Sequence, residues 1–150
     1  MMHKGIGVRL PRKEDDRYMR GRGQYVADIK LPGMKDVAFV RSTVAHAYIR
    51  GIHIPESCRG SVFVAEDMEN VEPIRAVSTL PGFKPSKQPL LAVEKVRQVG
   101  ELIAMCVAET RAAAEDLAAK IEPEYEELPV ITDMLEARAA NAPLVHEEWG

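Results

Sequence analysis

The chain has 150 residues, of which 46% are hydrophobic and 29% are charged, and its formal net charge at pH 7 is −3. This length is typical of one globular domain with its own core, and the mild acidity argues against binding to nucleic acid or to a membrane surface. No apolar run approaches the roughly 20 residues that span a bilayer, and the N-terminus lacks the apolar segment of a signal peptide. We therefore expect a cytoplasmic protein.

Residues 1–33 are rich in glycine, arginine and charge, and they show no sustained hydrophobic period. We interpret them as an extended arm that ends at the Pro32-Gly33 turn. A nucleic-acid-binding arm is disfavoured because Glu14-Asp15-Asp16 interrupts the basic residues. Gly21-Arg22-Gly23 is not expected to bind phosphate, because a strand-like segment at residues 24–28 follows it in place of a helix. The basic residues of this segment are Lys4, Arg9, Arg12, Lys13, Arg17, Arg20 and Arg22.

Strand patterns begin after the arm. Residues 37–41 and 47–54 are rich in β-forming side chains and are bounded by turn residues. Alternation in the second run predicts one face that holds Tyr48, Arg50, Ile52 and Ile54.

Further along the chain, residues 61–65 predict a short buried strand. Residues 66–94 are loop-like, with one brief strand at 74–77. The continuous apolar run 102–108 predicts a central strand covered on both faces.

One clear helix is predicted over residues 111–120, with Thr110 as its N-cap. Its apolar stripe faces a sheet, and the opposite side carries two i, i+4 ion pairs, Arg111–Glu115 and Asp116–Lys120. The stripe consists of Ala113, Ala114, Leu117, Ala118 and Ile121.

After the helix the hydrophobic period changes from 3.6 to 2. Residues 121–126 therefore predict a strand with one glutamate-rich face, and Pro123 places it at a sheet edge. A capping-box pattern at Asp133–Glu136 predicts a short helix that ends near Ala139. The order of elements predicts an α+β fold.

The cysteines and histidines do not form a recognisable metal site. Cys58 and Cys106 are the only two cysteines and cannot supply four thiolates to an iron–sulfur cluster. Cys106 lies in an apolar strand and is expected to be inert. The four histidines lack metal-binding spacing; they are His3, His46, His53 and His146.

Several short motifs, taken in order, resemble a known family. They are Arg17-x-x-x-Gly21-x-Gly23-x-Tyr25-x-x-Asp28, Ala45-His46-Ala47, Val99-Gly100-Glu101 and Glu124-Tyr125-Glu126-x-Leu128-Pro129. Together they resemble the N-terminal α/β-hammerhead domain of molybdenum hydroxylase large subunits, the superfamily of xanthine dehydrogenase, aldehyde oxidase and aerobic carbon monoxide dehydrogenase.

The resemblance implies an α/β-hammerhead with a mixed small sheet and one main packed helix. It divides the chain into an extended arm (1–33), the hammerhead domain (34–140) and the start of a linker (141–150) to a molybdopterin-binding region. The motifs of that region do not occur here, which suggests a truncated gene, an excised domain or a split subunit.

The resemblance also implies an oxidoreductase whose holoenzyme uses molybdopterin, in the cytosine dinucleotide or another form, together with [2Fe–2S] clusters and FAD. We expect this chain to bind none of them, to hold no catalytic residue and to be inactive alone. Its implied partners are a molybdopterin-binding region or subunit, an iron–sulfur subunit and a flavoprotein subunit.

The resemblance further assigns interface roles to seven residues and a structural hydrogen bond to His46. The interface residues are Arg17, Gly21, Gly23, Tyr25, Asp28, Gly100 and Glu101. Two alternatives stay open: a free-standing binding or assembly module that retains the fold without activity, and an unrelated small hydrolase, which would need a Ser or Cys beside His46 or His146.

Overall fold

A computed structural model describes residues 5–7 and 10–149 of the chain. His3, Lys4 and Arg9, which entered the sequence analysis, lie outside the described residues. Contacts between Cα atoms separate the chain into two compact units, Met1–Met34 and Lys35–Gly150. In the described part of the chain, no helix is long and apolar enough to cross a bilayer.

The first unit contains helix α1, Asp15–Met19, and a 3-10 turn at Val26–Asp28. The sequence analysis predicted no helix here and a strand-like segment at residues 24–28. The difference has a local cause: the amide of Arg12 donates to the Asp15 carboxylate, and that of Tyr25 donates to Asp28, each at 2.9 Å. Such short side-chain bonds favour turns over extended backbone.

In its described part, the second unit has eight strands and one main helix. In chain order these are β1 (Asp36–Arg41), β2 (Ala47–His53), β3 (Val62–Phe63), β4 (Ile74–Arg75), β5 (Lys87–Gln88), β6 (Lys95–Val96), β7 (Leu102–Ala108), α2 (Arg111–Ala118) and β8 (Glu122–Glu127). Two three-stranded sheets have the orders β1-β7-β3 and β6-β2-β8, and β4 pairs with β5.

The α+β fold is confirmed, but the prediction of a mixed sheet was wrong. All pairs of the named strands are antiparallel, and a single parallel bridge joins Arg59 to Val62 outside the ladders. The error has a physical reason. An antiparallel strand that is covered on both faces is as continuously apolar as a parallel one, so its composition does not reveal the direction of its neighbours.

Strand β7 carries the core of this unit. Ala104 and Cys106, both fully buried, pack in one hydrophobic cluster with residues of β1, β3 and α2. Ile103, also fully buried, belongs to a second cluster with Ala47 and Val96 of the other sheet. The prediction of a central strand covered on both faces is confirmed.

Helix α2 lies against β1 and β7. Thr110 is its N-cap as predicted, because the Thr110 hydroxyl accepts a hydrogen bond from the amide of Ala113 at 3.2 Å. The helix ends at Ala118, so Lys120 lies beyond it and the predicted pair with Asp116 is not among its ion pairs. The pair Arg111–Glu115 forms at 2.6 Å.

Strand β2 departs from simple alternation. Its register with β8 shifts between Ile49 and Gly51, which marks a β-bulge at Arg50. The bulge lets both Ile49 and Ile52 pack on the second cluster, so the prediction that Ile52 shares a face with Tyr48 and Arg50 was wrong. Strand β8 lies at the sheet edge, as Pro123 predicted.

Long loops join β3 to β4 and β4 to β5, as the sequence predicted for residues 66–94. Residues 66–94 contain β4, β5 and part of a 3-10 turn at Ala65–Met68. The predicted helix near residues 133–139 is reduced to a 3-10 turn at Glu136–Arg138, capped by the Asp133 carboxylate. Residues 141–149, predicted as the start of a linker, belong to the second unit, and the linker role stays a prediction.

The N-cap of α2 makes a measurable contribution to stability. We expect Thr110→Ala to lower the free energy of unfolding by about 1 kcal/mol, because the amide of Ala113 loses its acceptor. Urea denaturation measures this change. Thr132→Ala, at an exposed position outside the named helices and strands, serves as the control; equal effects of the two substitutions would contradict the capping role.

Candidate functional site

The arm motif of the sequence analysis folds into one local structure. Gly21 has φ +65°, a conformation that L side chains rarely adopt, and it ends helix α1. The amide of Arg22 donates to the carbonyl of Arg17 at 2.9 Å, and the amide of Gly21 donates to that of Tyr18 at 3.0 Å. These two bonds form a Schellman motif, which requires a residue such as glycine at this position.

Gly23 lies against two tyrosine rings. The rings of Tyr18 and Tyr25 stack with centroids 6.2 Å apart, and a Cβ on Gly23 would come within 3.0 Å of Tyr25 Cε2 and 3.2 Å of Tyr18 Cδ1. The guanidinium of Arg17 lies 5.2 Å from the centre of the Tyr18 ring. The structure therefore brings together Arg17, Gly21, Gly23, Tyr25 and Asp28, the last through its bond to the Tyr25 amide.

The described part of the first unit has no core of its own. No described residue in it is buried, and its large apolar side chains face outward, with Leu10 85%, Met19 86% and Val26 86% exposed. Basic residues, Arg12, Lys13, Arg17, Arg20, Arg22 and Lys30, outnumber acidic ones in its described part. Large apolar side chains that are exposed beside basic residues are compatible with an interaction surface.

Gly100 and Glu101 lie in the second unit and form the turn that leads into β7. Gly100 has φ +86°, and its amide donates to the carbonyl of Ser42 at 2.8 Å, while the amide of Ser42 donates to that of Glu101 at the same distance. The Glu101 carboxylate accepts from the amide of Arg97. These bonds join the turn to the end of β1, so both residues have a structural role here, and their interface role stays a prediction.

His46 makes the structural hydrogen bond that the resemblance implied. Its side chain is 6% exposed, and its Nδ1 lies 2.9 Å from the carbonyl oxygen of Pro129. Its Nε2 is buried and has no partner among the described residues. His46 also lines an apolar cleft of about 360 Å³ with Val99 and Val130.

Lys95 is a functional candidate that the sequence analysis missed. Its side chain is only 6% exposed, and its ammonium group bonds the Glu147 carboxylate at 2.5 Å. The same ammonium lies 5.5 Å from the centre of the Tyr48 ring. The hydrogen bond from Lys95 is the main cause that lowers the pKa of Glu147. The one sequence signal was the position of this lysine between the apolar residues Leu91-Ala92-Val93 and Val96.

Residues 145–148 lie beside Lys95 and Arg97. Arg97 donates from Nε to the carbonyl of Val145 at 3.2 Å, and the His146 ring contacts the Glu148 carboxylate at 3.0 Å. The backbone amide of Glu148 and then His146 lower the pKa of Glu148. A cleft of about 350 Å³ lies beside Tyr48, Lys95, Arg97 and His146.

The described residues do not assemble the chemistry of a hydrolase or a metal centre. His46 bonds a backbone carbonyl and His146 bonds a glutamate, so neither activates a Ser or Cys. Across residues 5–7 and 10–149, no three His, Cys, Asp or Glu side chains are placed to hold a metal ion. Both thiols are free and buried, and burial, followed by the nearby Cys58, raises the pKa of Cys106.

Comparison with known proteins gives a family match. Residues 20–129 match the family described as "Aldehyde oxidase and xanthine dehydrogenase, a/b hammerhead domain". The carbon monoxide dehydrogenase large chain of Afipia carboxidovorans is 36% identical over 146 residues, which are 97% of this chain and 18% of that protein. The nicotine 6-hydroxylase large subunit of Paenarthrobacter nicotinovorans is 41% identical over 133 residues, 85% of this chain and 16% of that protein.

Solved structures agree with the sequence match. Quinoline 2-oxidoreductase from Pseudomonas putida 86 superposes with a TM-score of 0.83 and 41% identity, covering 93% of this chain and 18% of that one. This chain therefore spans less than a fifth of the length of each of these three relatives.

The stacked tyrosines of the first unit provide a test of its local structure. We expect Gly23→Ala to push the rings of Tyr18 and Tyr25 apart by a few tenths of an ångström, which weakens the nuclear Overhauser contacts between them. The matched control is Gly5→Ala, whose Cβ would meet no atom within 4 Å. Unchanged ring contacts in Gly23→Ala would show that the glycine is not required by the stack.

Proposed function

Because this chain belongs to the aldehyde oxidase and xanthine dehydrogenase a/b hammerhead domain family, we propose that it is the hammerhead domain of the large subunit of a molybdenum-dependent hydroxylase or dehydrogenase. Its direct role in this proposal is that of a scaffold and a subunit interface. The observation that carries the proposal is the family match over residues 20–129, combined with relatives of which this chain covers only 16–18%.

The relatives support an assignment to an oxidoreductase. Those named above are a carbon monoxide dehydrogenase, a nicotine 6-hydroxylase and a quinoline 2-oxidoreductase. A fold alone does not define an activity, but the similarity here extends over nearly the whole chain at 36% and 41% identity. In the proposed enzyme, molybdenum held by a pterin supplies the oxidation of a carbon centre, and clusters and a flavin carry the electrons away.

The described residues offer no site for a metal ion or an iron–sulfur cluster that is ligated by protein side chains. The two thiols of the chain lie in the hydrophobic core, and the described side chains offer no convergent set of metal ligands. We therefore assign no chemical step to this chain. In the proposal, a molybdopterin-binding region or subunit holds the metal.

The surface of the first unit supports an interface role. Its described residues are held by local turns, none of them is buried, and they present apolar side chains beside arginines. Buried aromatic and arginine side chains dominate the binding energy of many protein interfaces. We propose that Arg17 and Tyr25 contact a partner subunit, and that Gly21, Gly23 and Asp28 hold them in place.

The proposed partners are the molybdopterin-binding region, an iron–sulfur subunit and a flavoprotein subunit. Similar proteins are named as parts of larger assemblies, such as the 6-hydroxypseudooxynicotine dehydrogenase complex subunit gamma of Paenarthrobacter nicotinovorans. Neighbouring genes for these three components would support the proposal. A solitary gene would instead favour a free-standing binding or assembly module.

The first prediction from this proposal concerns cofactor content. We expect the purified 150-residue chain to contain far less than one molybdenum and one pterin per chain and to show no hydroxylase activity. Elemental analysis and pterin fluorescence measure the content, with the enzyme assembled from all neighbouring gene products as the positive control. Stoichiometric molybdenum and pterin in the isolated chain would contradict the proposal.

The second prediction concerns the interface. We expect Tyr25→Ala to weaken binding to the proposed iron–sulfur subunit tenfold or more, which corresponds to about 1.4 kcal/mol. Titration calorimetry measures the dissociation constant. Met134→Ala is the control, since Met134 is 81% exposed and lies outside the motif. If both variants bind like the parent chain, Tyr25 is not an interface residue.

A further inference from the structure

Three cationic side chains of the second unit contact the segment Val145–Trp149, which we call the C-terminal segment. Lys95 bonds the Glu147 carboxylate at 2.5 Å, Arg97 donates to the carbonyl of Val145 at 3.2 Å, and Lys84 donates to the carbonyl of Trp149. These contacts join residues that are 48 to 65 positions apart in sequence. The segment is therefore held by long-range contacts.

Of these three cationic side chains, Lys95 depends most on its partner, because its ammonium group is buried. A lysine is almost never fully buried unless its charge is paired, and the Lys95 side chain is 6% exposed. Its ion pair is with Glu147, and the face of the Tyr48 ring provides a weaker contact at 5.5 Å. Loss of the carboxylate would leave a buried ammonium without a counter-charge, a situation that strongly disfavours the docked state.

The end of the segment is ordered by its own side chains. The ring of Trp149 stacks on that of His146, with centroids 4.2 Å apart and an angle of 17° between the planes. Trp149 is only partly exposed. It is also the single tryptophan of the chain, so its fluorescence reports directly on the docking of the segment.

We infer that Lys95 and Glu147 form a latch that fixes the C-terminal segment on the second unit. Arg97 and Lys84 bond backbone carbonyls, which are present whatever the sequence of the segment. Lys95 instead bonds the side chain of one residue, Glu147. Glu148 is a natural comparison because its side chain is equally exposed, at 56%, and contacts its neighbour His146. The position of the carboxylate, and not the acidity of the segment as a whole, is what the site recognises.

The consequence of the latch rests on the proposed function. If the segment leads from the hammerhead domain to the cofactor-binding region, the latch sets the point on the domain surface from which that region departs. A fixed point of departure reduces the number of orientations that the two regions can adopt before they dock. The latch would then be a positioning device for assembly, with no part in the chemistry.

The test compares two conservative variants of the whole chain. Glu147→Gln keeps the size of the side chain but removes its charge, and Lys95→Met keeps the aliphatic stem but removes the ammonium group. In both we expect the acrylamide quenching constant of Trp149, which is partly exposed in the docked segment, to rise above the parent value. The double variant should show no further rise, because the two residues act as one pair.

Glu148→Gln is the matched control and should retain most of the parent's protection of Trp149. Circular dichroism confirms that each variant is folded, and Lys95→Met keeps the test decisive if Glu147→Gln unfolds. Protection unchanged in Lys95→Met, or lost equally in Glu148→Gln, would overturn the latch. The quenching experiment needs only the isolated chain and tests only the latch. If the latch fails, the proposed function is unaffected. If the chain binds molybdenum, the proposed function fails but the latch is unaffected.

Discussion

Strand β7 packs on both of its faces, and the architecture of the second unit depends on this packing. Ala104 and Cys106 point into the cluster beneath helix α2, while Ile103 joins Ala47 and Val96 of the other sheet. One strand thus holds two sheets together without pairing with the second of them. A fully buried Ile or Val side chain, such as Ile103 or Val96, contributes about 1.5–3 kcal/mol, and both clusters stabilise the unit. The Gly100–Glu101 turn that leads into β7 is fixed to the end of β1 by backbone bonds.

The two units differ in how they are stabilised, and this difference bears on function. The second has two hydrophobic clusters, whereas the described part of the first has no buried residue and relies on a Schellman turn, stacked tyrosines and short side-chain bonds. Hydrogen bonds between near neighbours define the backbone conformation of the first unit, but its large apolar side chains stay exposed to water. A shape defined without a core is suited to contact with another protein surface, and the scaffold role that we propose follows from it. At the C-terminal end of the described chain, Lys95, Arg97 and Lys84 bond residues 145–149 to the second unit.

The chain belongs to a domain family whose large-subunit relatives are much longer than this chain, which covers 18% of the carbon monoxide dehydrogenase large chain and 16% of the nicotine 6-hydroxylase large subunit. In the proposed enzyme the metal chemistry lies in another region, and this domain contributes surfaces and positions. Among the described residues, both thiols are buried, His46 bonds a backbone carbonyl and His146 bonds a glutamate.

The sequence by itself determined the elements that depend on near neighbours: strand β7 as an apolar run, helix α2 with its Thr110 cap, β8 at an edge because of Pro123, and the family through motifs of fixed spacing. Only the tertiary structure decided what depends on distant partners. The antiparallel pairing of β7, the bulge at Arg50 and the meeting of Lys95 with Glu147, which is 52 positions away, are of this kind. Hydrophobic period and capping act over one or two turns of chain, whereas strand direction and the partner of a buried charge are set by packing across the whole unit.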